Sequence, residues 1–377
     1  MARPDSDNIA KLYTDLKERR IEVSSLPVVL YVESVYGCPY CCVMCEVRET
    51  MPRPISRHLL ERLEPLYPHL FMLAIHGDGE PLLGKEIDYY IGVARDNNIV
   101  LHMNTTGFFL LPDLIDKLLQ VTLSIRFSVH AGTEMTYKKI MGHDLAIVKE
   151  NIRRLIKRNS EIGNSNNEFW LSFIVMKENI GEIPAFMTLA HEIGIRHVRF
   201  MRLYANRYTL KGVTKPNSSF TFYHSRQYNP AVRKEFLRML PEIRGLAQKF
   251  QVTVEAGDLF GGGCDDHSGG NDIVQKVIKK LRLGRITGDC AAPWVGGCFV
   301  RYTGDVFFCC STPYVIGNLF KDDFLTIWNS RKTRRAREIF RKKMLMGSCG
   351  SCRTIRLEEY PAIVSEEFRK RLWNPAS

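Results

Sequence analysis

Ser34-Val35-Tyr36-Gly37-Cys38-Pro39-Tyr40-Cys41-Cys42-Val43-Met44-Cys45 closes the first apolar run of the chain, residues 28–35, and carries on past it. Three of its cysteines, Cys38-x-x-x-Cys42-x-x-Cys45, have a spacing that lets thiolates wrap one face of a cubane iron–sulfur cluster and leave its fourth iron open. Soft thiolates suit zinc as well. A zinc ribbon, however, wants paired Cys-x-x-Cys knuckles roughly 15 to 20 residues apart. The only later Cys-x-x-Cys here is Cys349-Gly350-Ser351-Cys352, far down the chain. A redox pair made of Cys38 and Cys41 would leave Cys42 and Cys45 without a purpose.

Outward from this loop, short apolar runs alternate with longer amphipathic stretches. Strands are expected at residues 28–35, 70–76, 99–104, 123–130, 170–176 and 197–203. Segments of helical periodicity intervene, such as 145–157 and 182–193, the latter closed by Gly194. Strand–helix units in series imply parallel strands with right-handed crossovers. The fold class is therefore α/β, a barrel or part of one, followed from about residue 283 by a second region that carries six of the eleven cysteines. Sites in such barrels form where the strands run out into loops at their C-terminal ends. The division expected is an N-terminal helix and linker at 1–27, a core at 28–205, a connecting region at 206–285 and the C-terminal domain at 286–377. The connecting region holds a strong helix at 230–250, a short strand at 252–255 and a glycine-rich loop at 257–271.

The 377 residues, 45% hydrophobic and 25% charged, exclude a disordered or fibrous chain. No apolar run reaches the roughly 20 residues that cross a bilayer, and residues 1–26 lack the apolar core of a secretory signal. A cytoplasmic protein is expected. Eleven cysteines in a reducing compartment point to metal or chemistry rather than disulfides. A net charge of +12 favours anionic partners without choosing among them.

At the strand ends the sequence resembles the radical S-adenosylmethionine (SAM) superfamily, a likeness that implies a partial (β/α)6 TIM-like barrel with the cysteine loop after its first strand. That resemblance implies that Cys38, Cys42 and Cys45 hold a 4Fe–4S cluster whose open iron takes SAM, with Cys41 spare. Met44 stands where relatives often carry an aromatic residue near the adenine. His76-Gly77-Asp78-Gly79-Glu80-Pro81 is similar to the family's Gly-Gly-Glu-Pro segment, with Asp78 at the first glycine position. Gly77, Asp78, Gly79 and Glu80 would organise the SAM ammonium group. Asn104-Thr105-Thr106-Gly107 resembles the Thr-Asn-Gly turn, which makes Asn104 a contact. Ser128-Val129-His130-Ala131-Gly132 stands where relatives carry Ser-x-Asp-Gly, which adds Ser128 and His130. Met141 replaces an arginine that pairs with the SAM carboxylate, so that contact is expected to be missing or taken over by Lys139 or Arg153.

The second cysteine region starts at Cys290 and reads as a hairpin, 299–302 and 306–309, turning at Thr303-Gly304. Four thiolates from a hairpin and a knuckle hold zinc or a 4Fe–4S cluster equally well. The order of residues resembles the SPASM and shortened twitch extensions, marked by Gly304-x4-Cys309 and Gly317-Asn318, which implies a small C-terminal α+β cluster-binding domain. That resemblance implies Cys290, Cys309, Cys349 and Cys352 as ligands of a second, auxiliary 4Fe–4S cluster, with Cys310 the rival for Cys309.

The resemblance also implies an enzyme of oxidoreductase or epimerase type. It would cleave SAM reductively to a 5′-deoxyadenosyl radical and take a hydrogen atom from its substrate. A small polar substrate, sugar- or amino-acid-like, is expected, because the residues before the first strand are too few for a separate peptide-binding domain. Modification of a ribosomal peptide or protein is the alternative. Epimerisation would need a thiol hydrogen-atom donor, for which Cys264, Cys298 and Cys310 are candidates. The run Arg331-Lys332-Thr333-Arg334-Arg335-Ala336-Arg337 reads first as a solvated helix face, and more sharply as a docking surface for an acidic electron donor, flavodoxin or ferredoxin. Aromatics are not interleaved with these charges, which disfavours nucleic acid. A zinc scaffold without enzymatic activity would leave the strand-end turns as coincidences.

Overall fold

Buried apolar residues build the sheet, at every position of the strands Val29–Val32 and Met72–Ile75. In the strand Leu123–Ser128, Leu123, Ile125 and Phe127 are fully buried. The computed structural model describes residues 5–204, 211–214, 220–256, 259, 290–310, 314–342, 344–345 and 362–363. Six parallel strands appear where the sequence places them: β1 (Val29–Val32), β2 (Met72–Ile75), β3 (Val100–Thr105), β4 (Leu123–Ser128), β5 (Glu168–Val175) and β6 (His197–Arg202). The short strand β7 (Thr253–Glu255) adds to β6, also parallel.

The C-terminal region continues this sheet. β8 (Gly296–Val300) pairs parallel with β1, and β9 (Asp305–Phe307) and β10 (Val315–Asn318) extend it antiparallel. The ten-stranded order is β7-β6-β5-β4-β3-β2-β1-β8-β9-β10. β1 therefore lies between the barrel and the C-terminal hairpin, an arrangement that periodicity along the chain does not reveal. Gly296 makes the approach possible. It has φ +106, and a Cβ there would stand 2.4 Å from the Val29 carbonyl oxygen.

Helices cover one face of the sheet. α2 (Ile183–Glu192) packs on α3 (Pro230–Phe250), with Phe173, Phe186, Phe200 and Phe236 in mutual contact between them and the strands. The helix expected over 230–250 forms because Asn229 caps it, accepting from Ala231 N and Val232 N, while Pro230 opens it. Since Phe173 and Phe200 face the helices, Ser172, Arg199 and Met201 face the barrel interior.

The N-terminal segment is tied into both halves. The Asp15 carboxylate of α1 (Ser6–Glu18) accepts from Ser24 N and Ser25 N at 2.8 Å. Trp294 Nε1 donates to Arg20 O and Trp328 Nε1 to Ser25 O. The basic run forms α4 (Arg331–Arg341), and it is not uniformly solvated. Arg337 is fully buried, donating to Pro293 O at 2.8 Å, Ile21 O at 3.2 Å and Asn329 Oδ1 at 3.1 Å, while Arg334 pairs with Glu22. Among the described residues no helix is long and apolar enough to cross a membrane.

Candidate functional site

The cysteine loop leaves the C-terminal end of β1 and is pinned by its backbone. Gly37, at φ +92, admits no Cβ, which would stand 2.5 Å from Met51 O. Cys38 N donates to Glu49 O, Val43 N to Ile140 O and Cys45 N to Cys42 O. Cys38, Cys42 and Cys45 are half-buried, whereas Cys41 is exposed. Tyr40 packs edge-on against Phe108 and Phe109 and lies 3.7 Å, centroid to centroid, from His143, giving the loop an aromatic wall. Met44 is buried, its carbonyl oxygen 2.9 Å from His224 Nε2. Among the described residues no three His, Cys, Asp or Glu side chains converge into a metal-holding group. The loop fits a cluster by its donor chemistry, three half-buried thiols at the strand end, rather than as a preformed cage.

The turn after β2 lies directly against this loop. Gly37 N donates to Asp78 O at 2.8 Å, and Gly37 and Gly79 form a parallel bridge. A Cβ on Gly79 would meet Val35 O at 2.4 Å and Gly37 O at 2.8 Å; one on Gly77 would meet the Glu33 side chain at 2.6 Å. Both glycines are demanded by close approach. Glu80 is buried and held by the chain itself. Its Oε1 accepts from Thr105 Oγ1 and Leu82 N, and its Oε2 from Thr106 N and Oγ1. Burial pushes the Glu80 carboxyl up, against the pull of these donors. Glu80 thus ties its turn to the Thr105–Thr106 turn.

Asn104 and Ser128 stand at the ends of β3 and β4, both half-buried. The Asn104 Oδ1 is buried without a hydrogen-bond partner among the described residues. His130 is buried with φ +55, and its Nδ1 accepts from Ile174 N at 3.1 Å. Burial holds its pKa down to about 4. Lys139 pairs with Glu178, and Arg153 reaches Glu192 O on the outer face of the barrel.

In the C-terminal region, Cys290 is buried just before the short helix Ala292–Val295, and Cys309 and Cys310 are half-buried after β9. Cys298 is fully buried on β8 beside Leu30, and burial pushes its thiol up to about 12. It packs within the hydrophobic core of the sheet. Cys264, Cys349 and Cys352 lie outside the described residues.

Sequence reasoning passed over one cluster. Glu33, the residue after β1, is fully buried, and Arg301, the residue after β8, forks onto it with Nε–Oε2 at 3.0 Å and Nη2–Oε1 at 3.1 Å. Arg301 Nη2 also reaches Asp78 Oδ2 at 2.8 Å. Tyr36 and Tyr302 stack beside them, centroids 4.9 Å apart. A carboxylate at a strand end was a visible signal; its partner 268 residues later was not.

The chain matches the Radical SAM superfamily over residues 32–190 and the SPASM iron–sulfur cluster-binding domain over residues 290–353. The two domains indicate two 4Fe–4S clusters, with SAM as cofactor. An AdoMet-dependent heme synthase of Methanosarcina barkeri is 22% identical over 353 residues, 88% of this chain and 90% of that one. Streptococcus suis SuiB bound to the precursor peptide SuiA has a similar fold, with TM-score 0.62 and 14% identity over 93% of this chain and 74% of that one. So has native anSMEcpe with bound AdoMet and Cp18Cys peptide, with TM-score 0.58 and 15% identity over 88% of each chain.

Proposed function

For this chain, which belongs to the radical SAM superfamily and carries a SPASM cluster-binding domain, we propose hydrogen-atom abstraction from a small polar substrate held inside the barrel. When bound, the cluster and SAM supply a one-electron cleavage to methionine and a 5′-deoxyadenosyl radical, the acceptor of the substrate hydrogen. Cys38, Cys42 and Cys45 would hold the first cluster. The Gly77–Glu80 turn, Asn104 and Ser128 would line the SAM cleft, and Met44 would close it from the loop side. Cys290 and Cys309, with Cys349 and Cys352, would hold the auxiliary cluster.

The observation that carries the substrate class is the polar interior face. Strand register places His102, Arg126, Trp170 and Arg199 on the face opposite the helix-packed phenylalanines, the same face as the Asn104 and Ser128 assigned to SAM. His76 joins them, its ring 5.7 Å from that of His102. Burial, and then the positive charge of Arg126, hold the His76 pKa down to about 4, so it is a neutral hydrogen-bonding group at pH 7. Its buried Nδ1 has no partner among the described residues. Buried polar atoms of this kind fit a ligand with matching donors and acceptors. The relative matched along most of the chain, a heme synthase, is likewise named for a small-molecule product. Peptide modification is the second reading, favoured by the peptide-bound enzymes of similar fold.

An auxiliary cluster that accepts the electron of the product radical would make the net reaction an oxidation. Epimerisation would instead draw on Cys310 or Cys264 as hydrogen-atom donor. An acidic electron donor would dock on α4, where Arg331, Lys332 and Arg341 are exposed. Neutralising those three residues should then flatten the salt dependence of donor-driven turnover.

The test has two arms. Anaerobic iron and sulfide analysis of the reconstituted protein should give about eight irons, falling to about four in the Cys38/Cys42/Cys45→Ala variant. Zinc in place of iron at both sites would overturn the reading. Reduced enzyme with SAM should then release more 5′-deoxyadenosine with a small-molecule extract than with a peptide fraction. Stimulation by the peptide fraction alone would favour the second reading.

A further inference from the structure

Where the resemblance leads one to expect glycine, this chain carries Asp78, on the turn that leans on the cysteine loop. An aspartate there sets a second carboxylate beside the fully buried Glu33. The two repel. Burial first, and then the Glu33 charge, push the Asp78 carboxyl up, while Arg301 pulls it back. The compensating cation comes from the C-terminal region: Arg301 stands at the end of β8, on the turn leading into β9.

The geometry around it forms a continuous chain. Arg301 forks onto both oxygens of Glu33 and reaches Asp78 Oδ2. Tyr302 N donates to Glu33 Oε2 at 3.3 Å, and Asp78 N donates to Glu33 Oε1 at 3.2 Å. Asp78 O in turn accepts from Gly37 N, the residue before Cys38. Tyr302 stacks on Tyr36, two residues before Cys38. One guanidinium of the C-terminal region thus fixes both the turn and the root of the cysteine loop. A bidentate fork onto a buried carboxylate is geometrically exacting, which a lysine does not reproduce.

We propose that Arg301 is a positioning residue for SAM, the group that lets an aspartate occupy position 78 by holding Glu33 and Asp78 together against the cysteine loop. It acts through the turn rather than by touching SAM. The C-terminal region would on this account complete the SAM site as well as carry its own cluster. The inference rests on the reading that SAM binds against the Gly77–Glu80 turn.

The test measures SAM affinity by anaerobic equilibrium dialysis on the reconstituted protein, alongside iron content and melting temperature. Arg301→Ala should raise the SAM Kd at least tenfold with iron content retained. Asp78→Gly in the Arg301→Ala background should recover most of that loss, because one of the two confronted carboxylates is gone. If Arg301→Ala does not fold, Arg301→Lys and its Asp78→Gly double variant give the same comparison. An unchanged Kd, iron lost with affinity intact, or a double variant that binds no better than the single would overturn the proposal. Wild-type protein that binds no SAM would instead overturn the reading of the turn itself.

Discussion

Nε2 of His224 stands 2.9 Å from the main-chain oxygen of Met44, a residue 180 positions earlier in the chain. A carbonyl only accepts, so Nε2 carries the proton and the imidazole is a clip on the cysteine loop one residue before Cys45. His224→Ala removes that clip. The expected cost is about 1 kcal/mol of local stability, read as slower cluster reconstitution and less iron per chain. Reconstitution at the wild-type rate would show that the loop needs no such support.

Glu80→Ala should be more severe. It strips acceptors from Leu82 N, Thr105 Oγ1, Thr106 N and Thr106 Oγ1 at once, all at a buried position. Unsatisfied buried donors cost about 1–3 kcal/mol each before relaxation. A loss of about 3 kcal/mol in chemical denaturation is expected, with Glu80→Gln intermediate. Equal stability of the alanine variant would show that water replaces the carboxylate.

Gly79→Ala tests the approach of the two backbones. A methyl group 2.4 Å from Val35 O has to push the turn off the loop, since its obstacle is backbone rather than a movable side chain. The expected penalty is about 2 kcal/mol or more, accompanied by loss of SAM binding. Binding of SAM at wild-type affinity would contradict the close packing of turn and loop.

Acid should destabilise the fold through its buried imidazoles. His76 and His130 have pKa values held down to about 4, against an ordinary value of 6.5, first by burial. The folded state therefore binds fewer protons than the unfolded state between those values. Stability present above about pH 6.5 should decline as the pH falls toward 4, by at most about 1.4 kcal/mol per unit for each group. His130→Asn suits the left-handed backbone there and should make the fall in melting temperature between pH 6.5 and 4.5 shallower. An unchanged slope would remove His130 from the account.

Arg337→Ala should loosen the N-terminal segment. Its guanidinium binds Pro293 O, Ile21 O and Asn329 Oδ1 and lies 4.3 Å over the Trp328 ring. Burial lowers its pKa to about 10, so it remains charged at neutral pH. Loss of about 3 kcal/mol is expected, with faster proteolysis within residues 19–28, and Arg337→Lys should recover only part of it. Resistance to proteolysis equal to wild type would show that α1 is held by other contacts.

Much of the site was legible because its signals are local. The spacing of Cys38, Cys42 and Cys45 and the glycines at 77 and 79 sit within single loops, and their chemistry can be read from neighbours in the chain. The six parallel strands were legible for the same reason, since short apolar runs separated by longer amphipathic stretches mark each one. The role of His130 in holding β5 was not, because a lone histidine after a strand carries no directional information until its partner, Ile174 N, is known. Nor was the burial of Arg337, which in sequence is one cation in a basic run.

The sequence by itself determined the α/β barrel core, the cysteine loop after β1 and the glycine turn after β2, because each follows from a local pattern. Only the tertiary structure decided that the C-terminal hairpin joins the barrel sheet through β1 and β8, and that Arg301 closes on Glu33 and Asp78. Pairing between segments so far apart depends on register and on compensation of buried charge, and both are properties of the packed chain. A glycine at 296 permits the first, and a guanidinium reaching two carboxylates across the strand ends completes the second.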